Sequence, residues 1–203
     1  HRCENLAFTH RGVPVANAGM ANKHAFSHAL VTGGAGFIGS HLCDALIAQG
    51  VSVEAFDDLS TGSVRNVDHL RANPKFQLKV GDVCHRDELA ESVDRADVVF
   101  HMAAAVGVRL IVERPVHTIQ TNLEGTENVL ELAAKKQKHV LLASTSEVYG
   151  KSTALPFNEE SDLVLGASRR PRWAYACSKL MDEFLALAHF RERGLPVVIA
   201  RLF

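Results

Sequence analysis

Tyr175 and Lys179 are the residues whose types and spacing could do chemistry most directly. They lie four positions apart in a stretch with helical character, so the phenol and the ammonium group fall on one face of a helix. A tyrosine is a poor base at its ordinary pKa of about 10, and a nearby cation favours the phenolate and lowers that pKa toward neutrality. The same pair would also fit an ordinary helix surface. The rest of the chain decides between these two interpretations.

A glycine-rich segment, Thr32-Gly-Gly-Ala-Gly-Phe-Ile-Gly39, lies between a short apolar run and a helical stretch. In that context Gly33 can form a tight turn, Gly36 lets the backbone approach a pyrophosphate, and Gly39 permits close packing of the helix on the strand. The N-terminus of the following helix adds unpaired N–H donors and the positive end of a dipole. The segment predicts a dinucleotide-binding turn, and the alternative is a purely structural one.

The ends of the next three strands extend this prediction. Asp57 follows Gly39 by 18 residues, where a carboxylate can accept hydrogen bonds from a ribose diol and repel a 2′-phosphate, so NAD is favoured over NADP. A surface aspartate is the alternative. Asp82 could cap the next helix or bind the adenine amino group, and both options stay open. The segment His101-Met-Ala-Ala-Ala105 has small residues where a cofactor must pass close to the backbone, or where packing is simply tight.

A hydroxyl-rich segment, Ser144-Thr-Ser-Glu-Val-Tyr-Gly150, follows the fifth predicted strand. The carboxyl edge of an α/β sheet is where ligands bind. A hydroxyl there could hydrogen-bond the same substrate oxygen that Tyr175 deprotonates, although a serine- and threonine-rich turn would look similar.

Apolar runs alternate with amphipathic stretches along the chain and predict how these residues are positioned. Strands are expected at 29–32, 51–56, 76–80, 98–102, 139–143 and 197–202, and helices at 37–49, 86–94, 115–136 and 173–193. Strands separated by helices imply right-handed crossovers and a parallel sheet covered on both faces. We therefore predict an α/β fold with a doubly wound parallel sheet, a Rossmann fold.

The two ends of the chain lead to separate expectations. Residues 1–27 show no clean periodicity and are expected to be an N-terminal extension of unknown role, while 28–203 form the Rossmann domain. The chain begins at His1, and 195–203 has the pattern of a buried strand with nothing after it. We expect truncation at the sixth strand, a missing C-terminal substrate domain, and no activity from the 203-residue chain by itself.

The composition excludes several classes of partner and site. A formal net charge of −1 gives no reason to expect a nucleic acid or an anionic membrane, and no apolar run approaches the roughly 20 residues of a membrane helix. The 4 cysteines form no CxxC pair and the 11 histidines form no HExxH motif, so no metal site is predicted. Reduced thiols fit a cytoplasmic protein.

These motifs together resemble the extended short-chain dehydrogenase/reductases that modify nucleotide sugars. The resemblance spans 28–203 and rests on TGGAGFIGSHL, Asp57-Asp58 with Ser-Thr-Gly62, Gly81-Asp82, HMAAA, Thr121-Asn122 with Gly125-Thr126, STSEVYG and YACSK. It implies NAD as cofactor, a UDP-sugar as substrate, Tyr175 as base, Thr145 as the catalytic hydroxyl and Lys179 as the third member of the triad. It also implies a homodimer built through a four-helix bundle. The predicted cofactor-binding set is Gly33, Gly36, Phe37, Ile38, Gly39, Asp57, Asp82, Val83, Ala103, Ala104, Asn122, Tyr175 and Lys179.

Three reactions of this family share the same machinery. Each begins with removal of the sugar C4 hydroxyl proton and hydride transfer from C4 to NAD. A 4-epimerase returns the hydride to the other face of the rotated ketosugar, and a 4,6-dehydratase eliminates water across C5 and C6 with an Asp-Glu pair. A UDP-glucuronate decarboxylase uses the 4-ketone as an electron sink, so that the C5 carboxylate leaves as carbon dioxide.

Ser146 and Glu147 decide the order of preference among these reactions. Ser146 stands where a dehydratase has aspartate, and Glu147 is similar to the Thr-Ser-Glu of the decarboxylases. The resemblance therefore favours a UDP-glucuronate decarboxylase in which Glu147, together with Ser146, manages protons near C5. The alternatives, in order, are a UDP-sugar 4-epimerase, an NDP-sugar 4,6-dehydratase and a non-catalytic NAD-binding module.

Overall fold

The structure, a computed structural model, describes residues 26–105, 107 and 113–203. Its centre is a parallel sheet made of β1 His28–Thr32, β2 Ser52–Asp57, β3 Phe76–Val80, β4 Val98–His101, β5 His139–Thr145 and β6 Val197–Leu202. The described residues also form the helices α1 Phe37–Ala48, α2 Arg86–Arg95, α3 Pro115–Lys135 and α4 Trp173–Arg193. A 3-10 turn, Ser146–Tyr149, follows β5 directly.

The strand order in the sheet is β3-β2-β1-β4-β5-β6. The chain moves outward from β1 to β3, then returns to the other side of β1 and moves outward again to β6. Every neighbouring pair is parallel. The direction of winding reverses between β1 and β4, and at such a switch point the connections diverge and leave a crevice at the carboxyl ends of the strands. The prediction of a doubly wound parallel sheet is confirmed.

Both faces of the sheet carry buried apolar side chains. Leu30 packs with Val99 and Leu142 in a core beneath α2, α3 and α4, whereas Ala29 and Val31 pack in a second core against α1. This division follows from the geometry of a strand, in which successive side chains point to opposite faces. Both faces of the central strands are therefore covered where they meet the crevice.

The ends of the elements lie within one residue of the predictions except at β5. That strand continues to Thr145 because its pairing with β6 persists as far as Thr145 opposite Leu202. Helix α4 ends at Gly194, whose φ of 68° is the left-handed conformation typical of a glycine that stops a helix. The longer β5 carries the hydroxyl of Thr145 to the very edge of the sheet.

The described part of the predicted extension packs against the domain. Phe26 contacts Phe100 edge to face with ring centroids 6.1 Å apart, and the backbone N–H of Ser27 donates to Asp97 at 2.8 Å. Residues 1–25 of that extension lie outside the described residues. Across the part that is described, no helix combines the length and apolar character needed to cross a bilayer.

Candidate active site

The glycine turn joins β1 to α1 and can be built only from glycine at two positions. Gly33 has a φ of 67°, and its N–H donates to the carbonyl of Phe56 at 2.8 Å. A Cβ on Gly33 would lie 2.7 Å from the backbone nitrogen of Ala103, and one on Gly39 would collide with the carbonyl oxygen of Gly33. The turn thus packs closely against β2, β4 and the helix that follows it.

Gly36 differs from these two glycines because the space in front of it is open. It is the N-cap of α1, and a Cβ there would meet only the Gly33 carbonyl oxygen, at 3.1 Å. No side chain caps this helix, and the first two side chains, Phe37 and Ile38, are exposed. The first-turn N–H groups of α1 therefore face a space that phosphate oxygens could occupy.

Asp57 holds the glycine turn from the end of β2. One carboxylate oxygen accepts the N–H of Ala35 at 2.9 Å, and the other accepts the N–H of Leu59 at 2.8 Å. Burial raises the pKa of Asp57, and these two backbone donors oppose the rise. Each oxygen retains a further lone pair, so the carboxylate can still accept hydrogen bonds from a ribose diol.

Asp82 at the end of β3 does not cap the next helix. Its carboxylate accepts the N–H of Cys84 at 2.8 Å, whereas α2 begins at Arg86 after His85, which makes no side-chain cap. Of the two options that the sequence left open, the geometry favours a side chain facing the cleft. The role of Asp82 toward adenine stays a prediction.

A cleft of ≈ 510 Å³ runs along the carboxyl edge of the sheet, over the point where the strand order reverses. Its walls include most of the predicted cofactor-binding residues, namely Gly33, Gly36, Phe37, Ile38, Gly39, Asp57, Asp82, Val83, Ala103 and Ala104. The sequence missed two polar side chains in the same walls, Arg114 and His117. No sequence pattern marked them, because they lie at the start of α3, far from the glycine turn along the chain.

Tyr175 and Lys179 are not among the described residues that line this cleft. Both are on the buried face of α4, with exposed fractions of 8% for Tyr175 and 2% for Lys179. The ammonium of Lys179 donates to Asp182 at 2.8 Å, and Asp182 is itself fully buried. The pair faces the protein interior and is linked to the cleft through neighbouring side chains.

Asn122 on α3 provides that link. Its carbonyl oxygen accepts the N–H of Ala105, a cleft residue, at 2.7 Å, and its amide donates to the hydroxyl of Ser178 at 3.0 Å. Ser178 in turn donates to the carbonyl of Tyr175 at 2.9 Å. Asn122 therefore fixes the position of α4 relative to the cleft, although its side chain does not line the cleft.

The prediction that Lys179 lowers the pKa of Tyr175 is wrong for the arrangement that the structure shows. The pKa of Tyr175 is raised to about 12, first by burial and then by the negative charges of Glu147 and Asp182. The ammonium of Lys179 is engaged by Asp182, and the negative charge of Asp182 is itself one cause of the raised pKa of Tyr175. The sequence did not single out Asp182, although a carboxylate at i+3 from Lys179 was visible as a possible ion pair.

The hydroxyl-rich segment places three further predicted residues next to β5 and α4. Thr145 is half-buried, and its hydroxyl accepts the N–H of Glu147 at 3.2 Å. Ser146 is half-buried and Glu147 is exposed. The 3-10 turn that holds Glu147 contacts helix α4, and the charge of Glu147 raises the pKa of Tyr175. The structure thus places Thr145 and Glu147 beside the helix that carries Tyr175, and their shared role toward a substrate oxygen stays a prediction.

The residues of the cleft fit a dinucleotide. The glycine turn leaves no room for side chains at Gly33 and Gly39, leaves space in front of Gly36, and aims uncapped helical N–H groups at that space. Asp57 offers a carboxylate that suits a ribose, and Asp82 offers a second one further along the edge of the sheet, where an adenine could lie. Together with the N–H groups that suit a pyrophosphate, these side chains match the parts of a dinucleotide.

This sheet order, with a dinucleotide cleft at its switch point and a Tyr–Lys pair on the helix after β5, is that of an extended short-chain dehydrogenase/reductase of the nucleotide-sugar epimerase/dehydratase class. The chain belongs to the family described as GDP-mannose 4,6 dehydratase, whose family model matches residues 30–203. The family resemblance that the motifs implied is confirmed.

Individual relatives cover several reactions of this class. The chain is 43% identical over 175 residues to a UDP-N-acetyl-alpha-D-glucosaminuronate decarboxylase of Bacillus cytotoxicus, covering 86% of this chain and 53% of the relative. A UDP-N-acetylglucosamine 4-epimerase from Methanobrevibacter ruminantium is similar with a TM-score of 0.78 and 28% identity, covering 86% of this chain and 54% of the epimerase. A dTDP-glucose 4,6-dehydratase from Streptomyces venezuelae, solved with NAD bound, has a TM-score of 0.78 and 32% identity, with coverage of 86% and 55%. The chain spans about half the length of the relatives it matches.

Proposed function

We propose that this chain carries the cofactor-binding and proton-transfer half of an NAD-dependent enzyme that decarboxylates UDP-glucuronate or a closely related UDP-sugar acid. The observation that carries this proposal is that the 3-10 turn with Glu147, directly after Thr145, contacts the helix that carries Tyr175, with Ser146 where a dehydratase has aspartate. A decarboxylase relative at 43% identity supports the same reaction. The family also contains epimerases and dehydratases, so the reaction type is the part to be tested.

The cleft residues would hold NAD by three kinds of contact. Backbone N–H groups at the start of α1, beside the open space at Gly36, would receive the pyrophosphate. Asp57 would accept hydrogen bonds from the adenosine ribose, and Asp82 would lie near the adenine. NAD bound there would supply reversible hydride transfer at the sugar C4. The negative charge of Asp57 disfavours a 2′-phosphate, which supports NAD over NADP.

The side chains at the end of β5 and on α4 would handle the protons. Tyr175 would take the proton of the C4 hydroxyl, and Thr145 would hold the same oxygen through its own hydroxyl. A carbonyl at C4 stands β to the C5 carboxylate and can accept the electron pair released when carbon dioxide leaves. Glu147 and Ser146 lie on the substrate side of Thr145 in this proposal and would supply the proton that C5 then needs.

Product masses would test the reaction type directly. The full-length protein that carries this chain would be incubated with NAD and, separately, with UDP-glucuronate, UDP-N-acetylglucosaminuronate and UDP-glucose. The proposal predicts loss of carbon dioxide from at least one of the two acids and no change of UDP-glucose. Inversion of UDP-glucose at C4 with unchanged mass would instead identify a 4-epimerase, and loss of water would identify a dehydratase.

The outer face of α4 supports the expected homodimer. Cys177, Met181 and Phe184 lie at helical spacing on this face, with Phe184 60% and Met181 52% exposed. Ile119 and Val116 on the neighbouring α3 are exposed as well. We propose that these side chains pack against a second copy. Light scattering should give a dimer for the wild type and a monomer for Phe184→Glu, with Leu155→Glu as the exposed apolar control.

We propose that the protein resides in the cytoplasm. The described cysteines, Cys43, Cys84 and Cys177, are free thiols, which suits the reducing cytoplasm. Burial raises the pKa of Cys43 to about 12, so that thiol is unreactive.

A further inference from the structure

Lys179 and Asp182 form an ion pair that is removed from water on all sides. The two side chains are 2% and 0% exposed, their charged atoms lie 2.8 Å apart, and one turn of α4 connects them. Because an unpaired charge at such depth would be very costly, each group depends on the other. Burial raises the pKa of Asp182, and the ammonium of Lys179 and the hydroxyl of Thr126 oppose this rise by favouring the carboxylate.

The surroundings of the pair contain few other groups that could compensate either charge. From β4, His101 is fully buried and its pKa is lowered to about 3, which leaves the imidazole neutral. From α4 itself, Glu183 faces the same region, but Arg201 on β6 pairs with it at 2.7 Å. From the 3-10 turn, the charge of Glu147 reaches Tyr175. Asp182 is therefore the only described carboxylate in direct contact with Lys179.

We propose that Asp182 is a positioning residue that fixes Lys179 and offsets its charge, and thereby sets the proton affinity of Tyr175. This inference rests on the proposed role of Tyr175 as the proton acceptor. The ammonium of Lys179 has three N–H donors and donates one of them to Asp182, so two remain for other partners. The carboxylate of Asp182 meanwhile holds the lysine side chain in place. Asp182 is not among the residues that line the cleft.

The main consequence of the ion pair concerns the pKa of Tyr175. With Asp182 present, burial raises the pKa of Tyr175 and the charge of Asp182 adds to this rise, while the ammonium of Lys179 is held by Asp182. Neutralising Asp182 alone would leave an unopposed ammonium one helical turn from the phenol, which favours the phenolate. Neutralising both partners would remove opposite charges together and leave the pKa of Tyr175 near its starting value.

The titration of Tyr175 can be measured in the full-length protein without substrate or cofactor. Protein labelled with ¹³C at the tyrosine Cζ gives one resonance for each tyrosine, and the resonance that is lost in Tyr175→Phe belongs to Tyr175. We expect Tyr175 in Asp182→Asn to ionise at least about one pH unit below the wild type. Glu192→Gln removes the same charge from the exposed end of the same helix and should leave Tyr175 unchanged.

A second variant covers the case in which Asp182→Asn does not fold. In Lys179→Met/Asp182→Asn both charges are absent, so no buried charge is left unpaired. The proposal predicts that the pKa of Tyr175 in this double variant does not rise above that of the wild type. A rise of more than about half a pH unit would mean that Lys179 acts on Tyr175 without compensation, and would overturn the proposal.

An unchanged titration of Tyr175 in a folded Asp182→Asn protein would overturn it equally. Circular dichroism at each pH confirms that the fold persists during the titration. Because this experiment measures proton binding and not turnover, it stays informative if the proposed decarboxylase reaction is wrong. Conversely, a positive titration result does not depend on which sugar the enzyme converts.

Discussion

The side-chain amide of Asn122 donates to the hydroxyl of Ser178 at 3.0 Å, and this contact joins the two long helices beneath the cleft. The carbonyl oxygen of the same amide accepts the N–H of Ala105 at 2.7 Å, where the chain leaves β4. One buried side chain thus connects the cleft wall, α3 and the helix that carries Tyr175. The position of the proposed base relative to the cofactor depends on this contact.

Replacing Asn122 by alanine should weaken both the fold and cofactor binding. The N–H of Ala105 would lose its buried acceptor, and such a loss costs about 1–3 kcal/mol. We expect a lower Tm and a weaker affinity for NAD, measured by thermal denaturation and calorimetry. Asn73→Ala, in an exposed turn where the side chain accepts the N–H of Lys75, is the control and should leave NAD binding unchanged.

Two glycines of the turn should respond differently to alanine. A Cβ on Gly39 would collide with the Gly33 carbonyl oxygen, so Gly39→Ala should unfold or severely destabilise the protein. Gly36 has a single neighbour at 3.1 Å and an ordinary φ of −73°, so Gly36→Ala should keep the fold. If Gly36 faces the pyrophosphate, this variant should still bind NAD at least about tenfold more weakly. Equal NAD affinity in a folded Gly36→Ala protein would argue against that position for the phosphates.

Stability should fall in acid because His101 is buried in its neutral form. Its pKa is lowered from 6.5 to about 3 by burial, with the charge of Lys179 adding to the effect. A folded-state pKa below the unfolded value contributes stability that is present above pH 6.5 and is lost as the pH falls toward 3. At pH 5 the loss from this residue is about 2 kcal/mol. Urea denaturation at pH 7.5 and pH 5 should show a smaller pH dependence for His101→Gln than for the wild type; equal dependence would exclude His101 as its source.

Glu147→Gln should separate proton handling from cofactor binding. The charge of Glu147 contributes to the raised pKa of Tyr175, so this variant should ionise Tyr175 at lower pH. If Glu147 manages the proton at C5, kcat for decarboxylation should fall on the order of 100-fold while NAD affinity holds. Glu160→Gln, at an exposed position further along the connection between β5 and α4, should behave as the wild type in both measurements.

Much of the fold was accessible from the sequence because each element carries its own local signal. Helix α4 has its start near Trp173 and a glycine stop at Gly194, and the strands are short apolar runs between such helices. The glycine turn was equally local, since strand, turn and helix follow one another within 28–48. The prediction ended β5 two residues early because its last pairs depend on β6, more than fifty residues further along the chain.

The electrostatics of the site depended on contacts that spacing does not determine. Lys179 has Tyr175 one turn before it and Asp182 one turn after it, and both lie within reach on the same helix. Only packing shows that the ammonium meets Asp182 in a region closed to water. The residues beside the cleft at the start of α3, Arg114 and His117, were missed for a related reason, because they carry no motif and come together with the glycine turn only in the folded sheet.

The most direct measurement of the central claim compares Tyr175→Phe with the wild type in the full-length protein. This change removes the hydroxyl that would accept the C4 proton and keeps the ring that fills the buried face of α4. The account predicts that NAD binds with unchanged affinity and that turnover of the UDP-sugar acid falls below detection. Retained turnover in a folded Tyr175→Phe protein would contradict it, because a phenylalanine cannot take up a proton.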